Sequence, residues 1–381
     1  MKVCFVSGAR ADYGLLYWIM RGVAEHPALQ LQLAVTGMHL SPAFGETVRV
    51  IEEDGFNIDA RVDSLLANDS SVATSKSIGL GVIGFADAFE NLRPDLVFIP
   101  GDRFEVFAAA IAAHIAGIPI AHLAGGDVTE GAFDDAIRHS ITKMAHLHFV
   151  TNEAAERRVR QMGESPETVH LVGSPALDHV HQMVLLSRAQ FTERTGYGFR
   201  PKNLIVTYHP ETRSKQPVEE PFRELLDALG ELGDSFGVLF TRPNADSQGS
   251  KISAMIDQFI STHSHAKVTT SLGQLGYYSA LKLFDAVVGN SSSGLYEAPS
   301  FGIPTVNIGE RQLGREKASS VFDCPAERDA IGQAISRALA TDCTETQNPY
   351  GDGRSTPRIV DVLEHCSEIR QWPNKAFNDF T

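Results

Sequence analysis

The sequence predicts an α/β protein of two Rossmann-like domains with a cleft between them. Short β-rich apolar runs alternate with amphipathic helical stretches, which is typical of parallel sheets. A polar stretch near residues 192–203 interrupts this alternation, which then starts again. The 381 residues suffice for two domains with separate cores. We predict an amino-terminal domain over 1–180, a carboxy-terminal domain over 200–355, and a helical tail over 356–381 that is a candidate to pack back on the first domain.

The predicted elements follow this rhythm in order. In the first half, strands are expected at 2–6, 32–35, 96–99, 119–123, 147–150 and 169–172, with helices at 15–25 and 135–145. In the second half, strands are expected at 204–207, 237–241, 267–270, 286–288 and 305–308, with helices at 219–232, 251–262 and 275–282. Residues 361–370 are expected to be helical. In open α/β sheets, ligands bind beyond the carboxyl ends of the strands, where the polar motifs of this chain fall.

Composition excludes several classes of protein. The net charge of −14 argues against binding to nucleic acid or to an anionic membrane, although a few local arginines could still hold an anionic substrate. The longest apolar region, 106–123, is broken by His114, Gly117 and Pro119, so it predicts a helix followed by a strand. The first apolar run is too short for a signal peptide. We therefore expect a soluble, cytoplasmic protein. None of the cysteines, Cys4, Cys324, Cys343 and Cys366, forms a CxxC pair, which disfavours a zinc or redox motif.

The strongest chemical signal is the segment 288–297, Val-Gly-Asn-Ser-Ser-Ser-Gly-Leu-Tyr-Glu. A buried strand is predicted to end here in a turn of small residues, and a helix to follow. Main-chain N–H groups at a helix start bind phosphate, and small residues let it come close. Ser291 and Ser292, after Asn290, can add hydroxyl donors, and Glu297 can accept hydrogen bonds from ribose. An ordinary capping box is the alternative.

Two motifs of the first half place charged groups just beyond strands. The first predicted strand is followed by Arg10, which can pair with phosphate oxygens, and by Asp12; a surface pair of these two is the alternative. The strand at 96–99 is followed by Asp102, whose pKa a site of low dielectric could raise toward that of a working base. An N-cap role for Asp102 is the rival and can coexist with catalysis.

The next strand adds further carboxylates. Asp127 follows it, and Asp134 begins the helix that contains Arg138 and His139. Asp134 is also a natural N-cap, and His139 could be a packed core histidine. The cluster has no His pairing on one helical face, so we predict no required metal.

In the second half, His209 follows a strand, and Pro210 favours an extended backbone for it. An imidazole there suits proton transfer or phosphate neutralisation, whereas a simple hydrogen bond at a loop start is the alternative. Asn244 ends another strand and could be a turn former. Arg311 could add positive charge.

Taken together, these motifs resemble the hydrolysing UDP-N-acetylglucosamine 2-epimerase family. The matching pieces run in order: Gly-Ala-Arg-Ala-Asp-Tyr at 8–13, Gly-Asp-Arg at 101–103, Ile-Arg-His-Ser-Ile-Thr-Lys at 137–143, Gly-Ser at 173–174, His-Pro-Glu-Thr at 209–212, Pro-Asn-Ala-Asp at 243–246, Gly-Asn-Ser-Ser-Ser-Gly at 289–294 and Asn-Ile-Gly-Glu-Arg-Gln at 307–312. The joint pattern is more specific than any one motif.

The resemblance implies a fold like that of GT-B glycosyltransferases, with UDP held mainly by the second domain. It implies that Asp102, Asp134, His209 and Asp127 form the catalytic set. It also implies that the substrate-binding residues are Arg10, Asp12, Ser174, Asn244, Asn290, Ser291, Ser292, Glu297 and Arg311. The implied reaction needs no cofactor, and a homo-oligomer (dimer or tetramer) is expected.

The chain departs from the family pattern at three places, one of which is the segment 127–134, one residue longer than in the N-acetylglucosamine enzymes. Many relatives have Glu where this sequence has Ala124, and Glu where it has Asp127. These features look more like the branch that acts on UDP-N,N'-diacetylbacillosamine, which feeds legionaminic-type acids. We hypothesise that Ala124 leaves room for a 4-acetamido group.

The implied reaction removes the C2 proton as the C1–O bond to UDP breaks, giving a glycal, and then adds water at C1. Asp102 is the first choice for the base and Asp134 for returning the proton. The alternatives are a non-hydrolysing 2-epimerase, a GT-B glycosyltransferase and a non-catalytic UDP-sugar-binding protein.

Overall fold

A computed structural model describes residues 1–42, 45–66, 70–128, 134–210, 217–242, 249–270, 272–366, 369 and 375–379. The chain folds as two compact units. The first unit comprises Met1–His179 and Gly353–Thr381, and the second comprises Val180–Asp352. No helix among the described residues is long and apolar enough to cross a membrane.

The first unit is built on a parallel sheet. Its described strands are β1 (Lys2–Ser7), β2 (Gln30–Thr36), β3 (Ala60–Val62), β4 (Leu96–Pro100), β5 (Ile120–Leu123), β6 (Leu147–Val150) and β7 (Val169–Leu171). They lie in the order β3-β2-β1-β4-β5-β6-β7. Its helices are α1 (Arg10–Glu25), α2 (Val48–Glu53), α3 (Ser71–Leu92), α4 (Phe104–Ile115), α5 (Asp134–Met144), α6 (Glu153–Gln161) and, at the other end of the chain, α14 (Ser355–His365); α7 (Asp178–Gln182) spans the junction of the units. The strand order reverses between β1 and β4, which is where ligands bind in folds of this class.

The second unit repeats the plan. Its described strands are β8 (Lys202–Thr207), β9 (Phe236–Thr241), β10 (Ala266–Thr269), β11 (Ala286–Gly289), β12 (Thr305–Ile308) and β13 (Val321–Cys324), in the order β10-β9-β8-β11-β12-β13. Its helices are α8 (Arg188–Thr195), α9 (Glu219–Gly230), α10 (Gly249–Thr262), α11 (Gly273–Leu283), α12 (Ser293–Tyr296) and α13 (Arg328–Ala340). Here the order reverses between β8 and β11.

The core of each unit comes from the buried faces of these strands and helices. In the first unit, Phe5 and Phe98 stack on neighbouring strands, with ring centroids 4.7 Å apart. Ile359 and Leu363 of α14 join the same buried cluster, so the end of the chain packs within the first unit. The predicted fold class of two parallel-sheet α/β domains is confirmed.

Candidate active site

In the first unit, Asp102 follows β4 directly beside the reversal of strand order. Gly101 has a φ of +63°, a left-handed conformation that lets the chain turn sharply after the strand. His122, fully buried in β5, donates from Nε2 to the carbonyl oxygen of Gly101 at 2.7 Å. Burial lowers the pKa of His122 to about 3, so its ring is neutral. His122 therefore fixes the turn from which the Asp102 side chain extends.

Arg138 of α5 ties the carboxylates of this edge together. Its side chain is only 6% exposed and forms an ion pair with Asp102. Its other terminal nitrogen donates to the main-chain oxygen of Asp127 and to Asp135 Oδ1, the latter at 2.9 Å. A guanidinium holds two carboxylates in fixed directions because its donors are planar and forked. The structure thus brings Asp102 and Asp127, predicted from separate strands, to one arginine.

Asp127 is held from the neighbouring strand end. Its carboxylate accepts from Thr151 Oγ1 at 3.0 Å and from Asn152 Nδ2 at 3.2 Å. Burial raises the pKa of Asp127, although these hydrogen bonds and the charge of Arg138 oppose the rise. Because its oxygens are already bonded to Thr151 and Asn152, Asp127 is better placed to orient this edge than to collect a proton.

Asp134 is the first residue of α5, directly after residues 129–133, which lie outside the described part of the chain. Burial, and then the nearby negative charge of Asp102, raise the pKa of Asp134, whereas Arg103 and Arg138 oppose the rise. Asp134 and Asp102 are therefore neighbouring carboxyls in unlike surroundings, because Asp102 is paired with Arg138.

Asp12 and Arg10 lie in the first turn of α1 with opposite exposures. Asp12 is buried and accepts from the N–H of Gly8 at 3.1 Å. Burial raises the pKa of Asp12 to about 6, although the charge of Arg103 opposes the rise. Arg10 is exposed at the first position of the helix. Among the described residues no pair between Arg10 and Asp12 is found.

Ser174 follows β7 at the far side of the same sheet. It is buried and precedes a single 3-10 turn, Pro175–Leu177, whose Leu177 N–H donates to the Ser174 oxygen at 3.0 Å. Among the described residues, Ser174 has contacts within this turn and none with Asp12, Asp102, Asp127 or Asp134.

The sequence reasoning did not single out Arg103 and Glu105 as site residues. Arg103 Nη2 donates to Glu105 Oε1 at 2.9 Å, and Glu105 is 2% exposed. The second oxygen of Glu105 is buried and has no hydrogen-bond partner among the described residues. The motif Gly-Asp-Arg-Phe-Glu contains both residues, but a sequence motif does not show that the glutamate turns inward and orients the arginine.

In the second unit, the reversal of strand order joins Thr207 of β8 to Gly289 of β11. The two residues are register partners, and Gly289 has a φ of +135°. A Cβ on Gly289 would lie 1.9 Å from the carbonyl oxygen of Thr207, so no other residue fits there. The glycine lets the two strand ends approach closely and present the residues that follow them.

Asn290 and His209 are those residues. Asn290 is fully buried; its Oδ1 accepts from the His209 N–H at 2.7 Å and its Nδ2 donates to the His209 oxygen at 2.9 Å. The amide of Asn290 is therefore engaged by the main chain of His209. We assign Asn290 the role of positioning His209, in place of direct substrate contact.

Ser291 and Ser292 precede α12. Among the described residues, the main-chain N–H groups of Ser291 and Ser292 have no hydrogen-bond partner. They are free to bind an anion, together with the two hydroxyls. The predicted helix is present but only four residues long. Its dipole is therefore small, and it would contribute less to phosphate binding than the sequence suggested. Individual N–H and O–H donors would carry the binding.

Glu297 ends α12. One of its carboxylate oxygens is buried without a hydrogen-bond partner among the described residues. Burial raises the pKa of Glu297, although Ser293 opposes the rise. An acceptor of this kind is unfavourable unless a ligand donates to it, and a ribose diol has the required donors.

Arg311 and Gln312 lie beyond β12. Arg311 Nη1 donates to the main-chain oxygen of Asn290 at 3.0 Å, and Gln312 Nε2 donates to the same atom at 2.8 Å. Arg311 is otherwise exposed, so its charge lies beside the Ser291 turn. Asn244 lies outside the described residues.

One group of metal-donor side chains is close enough to hold an ion within the described chain: Asp361, Glu364 and His365, all exposed on α14. None of them belongs to the predicted site.

Comparison with known proteins places the chain among nucleotide-sugar enzymes. A UDP-N-acetylglucosamine 2-epimerase family model matches residues 21–364. The UDP-N,N'-diacetylbacillosamine 2-epimerase (hydrolyzing) of Legionella pneumophila is 36% identical over 375 residues, 98% of each chain. The GDP/UDP-N,N'-diacetylbacillosamine 2-epimerase (hydrolyzing) of Campylobacter jejuni is 38% identical, covering 88% of this chain and 87% of its own.

A similar fold is found in the crystal structure of UDP-GlcNAc 2-epimerase from Neisseria meningitidis bound to UDP-GlcNAc. The TM-score is 0.78 at 17% identity, over 95% of this chain and 99% of that one. The chain belongs to the UDP-N-acetylglucosamine 2-epimerase family.

Proposed function

We propose that the protein is a hydrolysing 2-epimerase that converts UDP-N,N'-diacetylbacillosamine into UDP and the free 2-epimer, as a step toward nonulosonic acids. Two relatives more than a third identical to this chain are named for that substrate and reaction. The observation that carries the proposal is the contrast between Asp102, paired with Arg138, and Asp134, whose pKa is raised. Two neighbouring carboxyls in unlike environments can take and return a proton.

The first step is an elimination. A base removes the C2 proton while the C1–O bond breaks and its electron pair leaves with UDP, giving a 2-acetamidoglycal. The C2 proton has no adjacent carbonyl, so C1–O cleavage must lead, and stabilising the departing diphosphate is the largest task. We assign the base to Asp102, which Arg138 holds in a fixed direction.

The second unit would hold the leaving group. Free N–H groups at Ser291 and Ser292, with the charge of Arg311 beside them, suit a diphosphate. The buried oxygen of Glu297 suits the ribose hydroxyls. His209, fixed by Asn290, would support the leaving phosphate or balance its proton.

The second step is a hydration. Water adds its oxygen to C1 of the glycal and loses one proton, while a proton is delivered to C2 on the face opposite to the one that lost it. Before the next turnover the base gives up the proton that it took in the first step, and the donor is reprotonated from solvent. We assign that proton to Asp134, because it begins α5 close to Asp102 and its burial raises the pKa of its carboxyl. The sum is one water consumed and one UDP and one free sugar formed, so the chemistry requires no redox cofactor.

The preference for a 4-acetamido sugar is assigned to Ala124. This residue follows β5 with a φ of +64°, and its side chain is a single methyl. A larger side chain would project from the same strand end that carries Asp127. We infer that the small side chain leaves space for the acetamido group.

The test is turnover in deuterated water with UDP-N,N'-diacetylbacillosamine and UDP-N-acetylglucosamine side by side. Release of UDP with one deuterium at C2 of the free sugar is expected, faster for the diacetamido substrate. Intact epimerised nucleotide sugar would indicate a non-hydrolysing epimerase instead. Turnover only with an added acceptor would indicate a glycosyltransferase, and binding without turnover a UDP-sugar-binding protein.

We also propose that the enzyme acts in the cytoplasm as a homo-oligomer and binds no nucleic acid. The net charge of −14 supports the last of these, because it disfavours binding to polyanions. Light scattering on the purified protein measures the mass of the assembly, and a mass of one chain would contradict the oligomer.

A further inference from the structure

The described part of the carboxy-terminal segment, residues 375–379, lies at the carboxyl end of α5. Lys375 Nζ donates to the main-chain oxygens of Thr142 at 3.1 Å, Lys143 at 2.9 Å and Ala145 at 2.7 Å. The last carbonyls of a helix have no partner within the helix, and a cation there is favourable. The ammonium group of Lys375 therefore caps the helix from a position more than 230 residues away in sequence.

The same ammonium group is held in place by a buried carboxylate. Glu164 is 1% exposed and accepts from Lys375 at 2.5 Å, from Lys143 at 2.6 Å and from His148 at 3.0 Å. Burial alone would raise the pKa of Glu164, but these three hydrogen bonds outweigh it and lower the pKa to about 2. Glu164 stays ionised and keeps the cation in position.

Two further contacts fix the segment. Asn378 donates its N–H to the oxygen of Gly163 at 2.9 Å. The ring of Phe377 covers Gly163 so closely that a Cβ there would lie 2.4 Å from it, and Lys143 Nζ is 4.9 Å from the ring centroid. The segment is therefore seated by a main-chain bond, a ring and an ion pair together.

The opposite end of α5 carries the groups assigned to the chemistry. Arg138 pairs with Asp102 from within this helix. Thr142, whose carbonyl receives Lys375, uses its hydroxyl to contact both the Arg138 oxygen at 3.0 Å and His122 Nδ1 at 3.1 Å. His122 in turn bonds to Gly101, next to Asp102. A displacement of the helix at Thr142 would thus reach Asp102 through two chains of contacts.

We propose that Lys375 is a positioning residue that fixes the carboxyl end of α5 and thereby holds Arg138 in register with Asp102. The inference rests on the proposed function for its kinetic consequence, but its structural part does not. The segment 375–379 then supports the active site and does not serve only to complete the fold.

Lys375→Met is the decisive variant because it keeps an unbranched side chain as far as Cε and removes the charged Nζ. Glu164 retains Lys143 and His148 in this variant, so its carboxylate is not left unpaired. Lys375→Arg restores a cation. Lys76→Met is the matched control, since Lys76 lies exposed on α3 of the same unit. Phe377→Ser, at a residue 63% exposed, loosens the segment without entering the core.

Two measurements are made on the full chain: steady-state UDP release, and amide hydrogen exchange over residues 134–144. In Lys375→Met we expect kcat to fall about tenfold with KM nearly unchanged, because the loss is one of alignment. Exchange in α5 should accelerate. Lys375→Arg should recover kcat to within about threefold of the wild type, and Phe377→Ser should lower it about threefold.

Kinetics of Lys375→Met that match those of Lys76→Met would overturn the inference, as would unchanged exchange in α5. If Lys375→Met does not fold, Phe377→Ser decides by the same two readouts. If the wild type releases no UDP from either sugar, the proposed function fails, while the exchange data still decide whether the segment holds α5.

Discussion

Asn290 forms two hydrogen bonds with the main chain of His209, accepting from its N–H at 2.7 Å and donating to its carbonyl at 2.9 Å. The carbonyl of Asn290 meanwhile accepts from Arg311 and Gln312. One buried residue therefore joins the ends of β8, β11 and β12. The position of His209 depends on the side-chain amide of Asn290, and the Ser291 turn is held through the main-chain oxygen of the same residue.

Asn290→Asp should lower kcat for UDP release by about 10- to 100-fold. The introduced carboxylate cannot donate to the His209 carbonyl. One of its oxygens would instead face that carbonyl oxygen, and both atoms are acceptors. The unsatisfied buried groups should also lower the free energy of unfolding by about 1–3 kcal/mol. Steady-state kinetics and urea unfolding measure the two effects. Asn91→Asp, at an exposed position of α3, is the control. Wild-type kinetics in Asn290→Asp would contradict the positioning role of Asn290.

Glu297→Gln should weaken UDP binding about tenfold or more, since a hydrogen bond to a charged acceptor contributes about 1.5–3 kcal/mol. The atom expected to accept from the ribose is the buried oxygen of Glu297 that lacks a partner among the described residues. Titration calorimetry with UDP measures the change. Glu345→Gln, exposed in the same unit, should bind UDP as the wild type does. Equal affinity in both variants would exclude a ribose contact by Glu297.

Arg138→Met should lower the free energy of unfolding by about 3 kcal/mol, the low end for breaking a buried ion pair, because Asp102 and Asp135 remain partly exposed. Activity should fall with it, since Asp102 loses its fixed direction. Urea unfolding measures the stability. Arg49→Met removes an ion pair whose arginine is 73% exposed and should change stability by less than about 1 kcal/mol. Similar losses in the two variants would contradict the role of Arg138.

Asp12→Asn should become stabilising relative to the wild type as the pH rises. Burial raises the pKa of Asp12 from 3.8 to about 6, so between these values the folded protein keeps a proton that the unfolded chain releases. The wild type therefore loses stability across this window, by up to about 2–3 kcal/mol, and does not regain it above pH 6. The variant has no proton to lose.

The measurement is urea unfolding of both proteins at pH 4 and pH 7. The difference in unfolding free energy, variant minus wild type, should increase toward pH 7. Asp63→Asn, which removes an exposed carboxyl, serves as the control. A difference that is flat or that decreases with pH would show that folding does not raise the pKa of Asp12.

Ala124→Glu should shift the ratio of kcat/KM for UDP-N,N'-diacetylbacillosamine over UDP-N-acetylglucosamine by about tenfold or more toward the latter. The added side chain would occupy the space assigned to the 4-acetamido group. Because Ala124 has a positive φ, Glu there also adds backbone strain. Ala124→Gly relieves strain without filling space and should keep the wild-type ratio. Competition between the two sugars measures it, and an unchanged ratio in Ala124→Glu would assign specificity elsewhere.

The fold was predictable because apolar residues repeat differently along the strands and the helices of a parallel α/β protein: they form short continuous runs in strands and recur every three or four residues in helices. The expected strand at 96–99 is β4, Leu96–Pro100, and the polar residues placed after it lie at the reversal of strand order. β3 was not predicted because it has only three residues, Ala60–Val62, too few to show a pattern. The tail helix was expected from 361 but begins at Ser355. Its start is set by Asp178, which accepts from the N–H groups of Ser355 and Thr356.

The sequence by itself determined where the strands lie, through their apolar pattern, and which polar residues follow them. Because the carboxyl ends of parallel strands share one edge of the sheet, it also determined that these polar residues would lie along that edge. Tertiary structure alone decided what those residues do. Whether the amide of Asn290 faces a ligand or His209, and whether Glu105 turns toward Arg103, depends on neighbours brought together by the sheet. The direction in which a pKa moves likewise depends on burial and on charges distant in the chain, as at Asp134, and neither is encoded in a local motif.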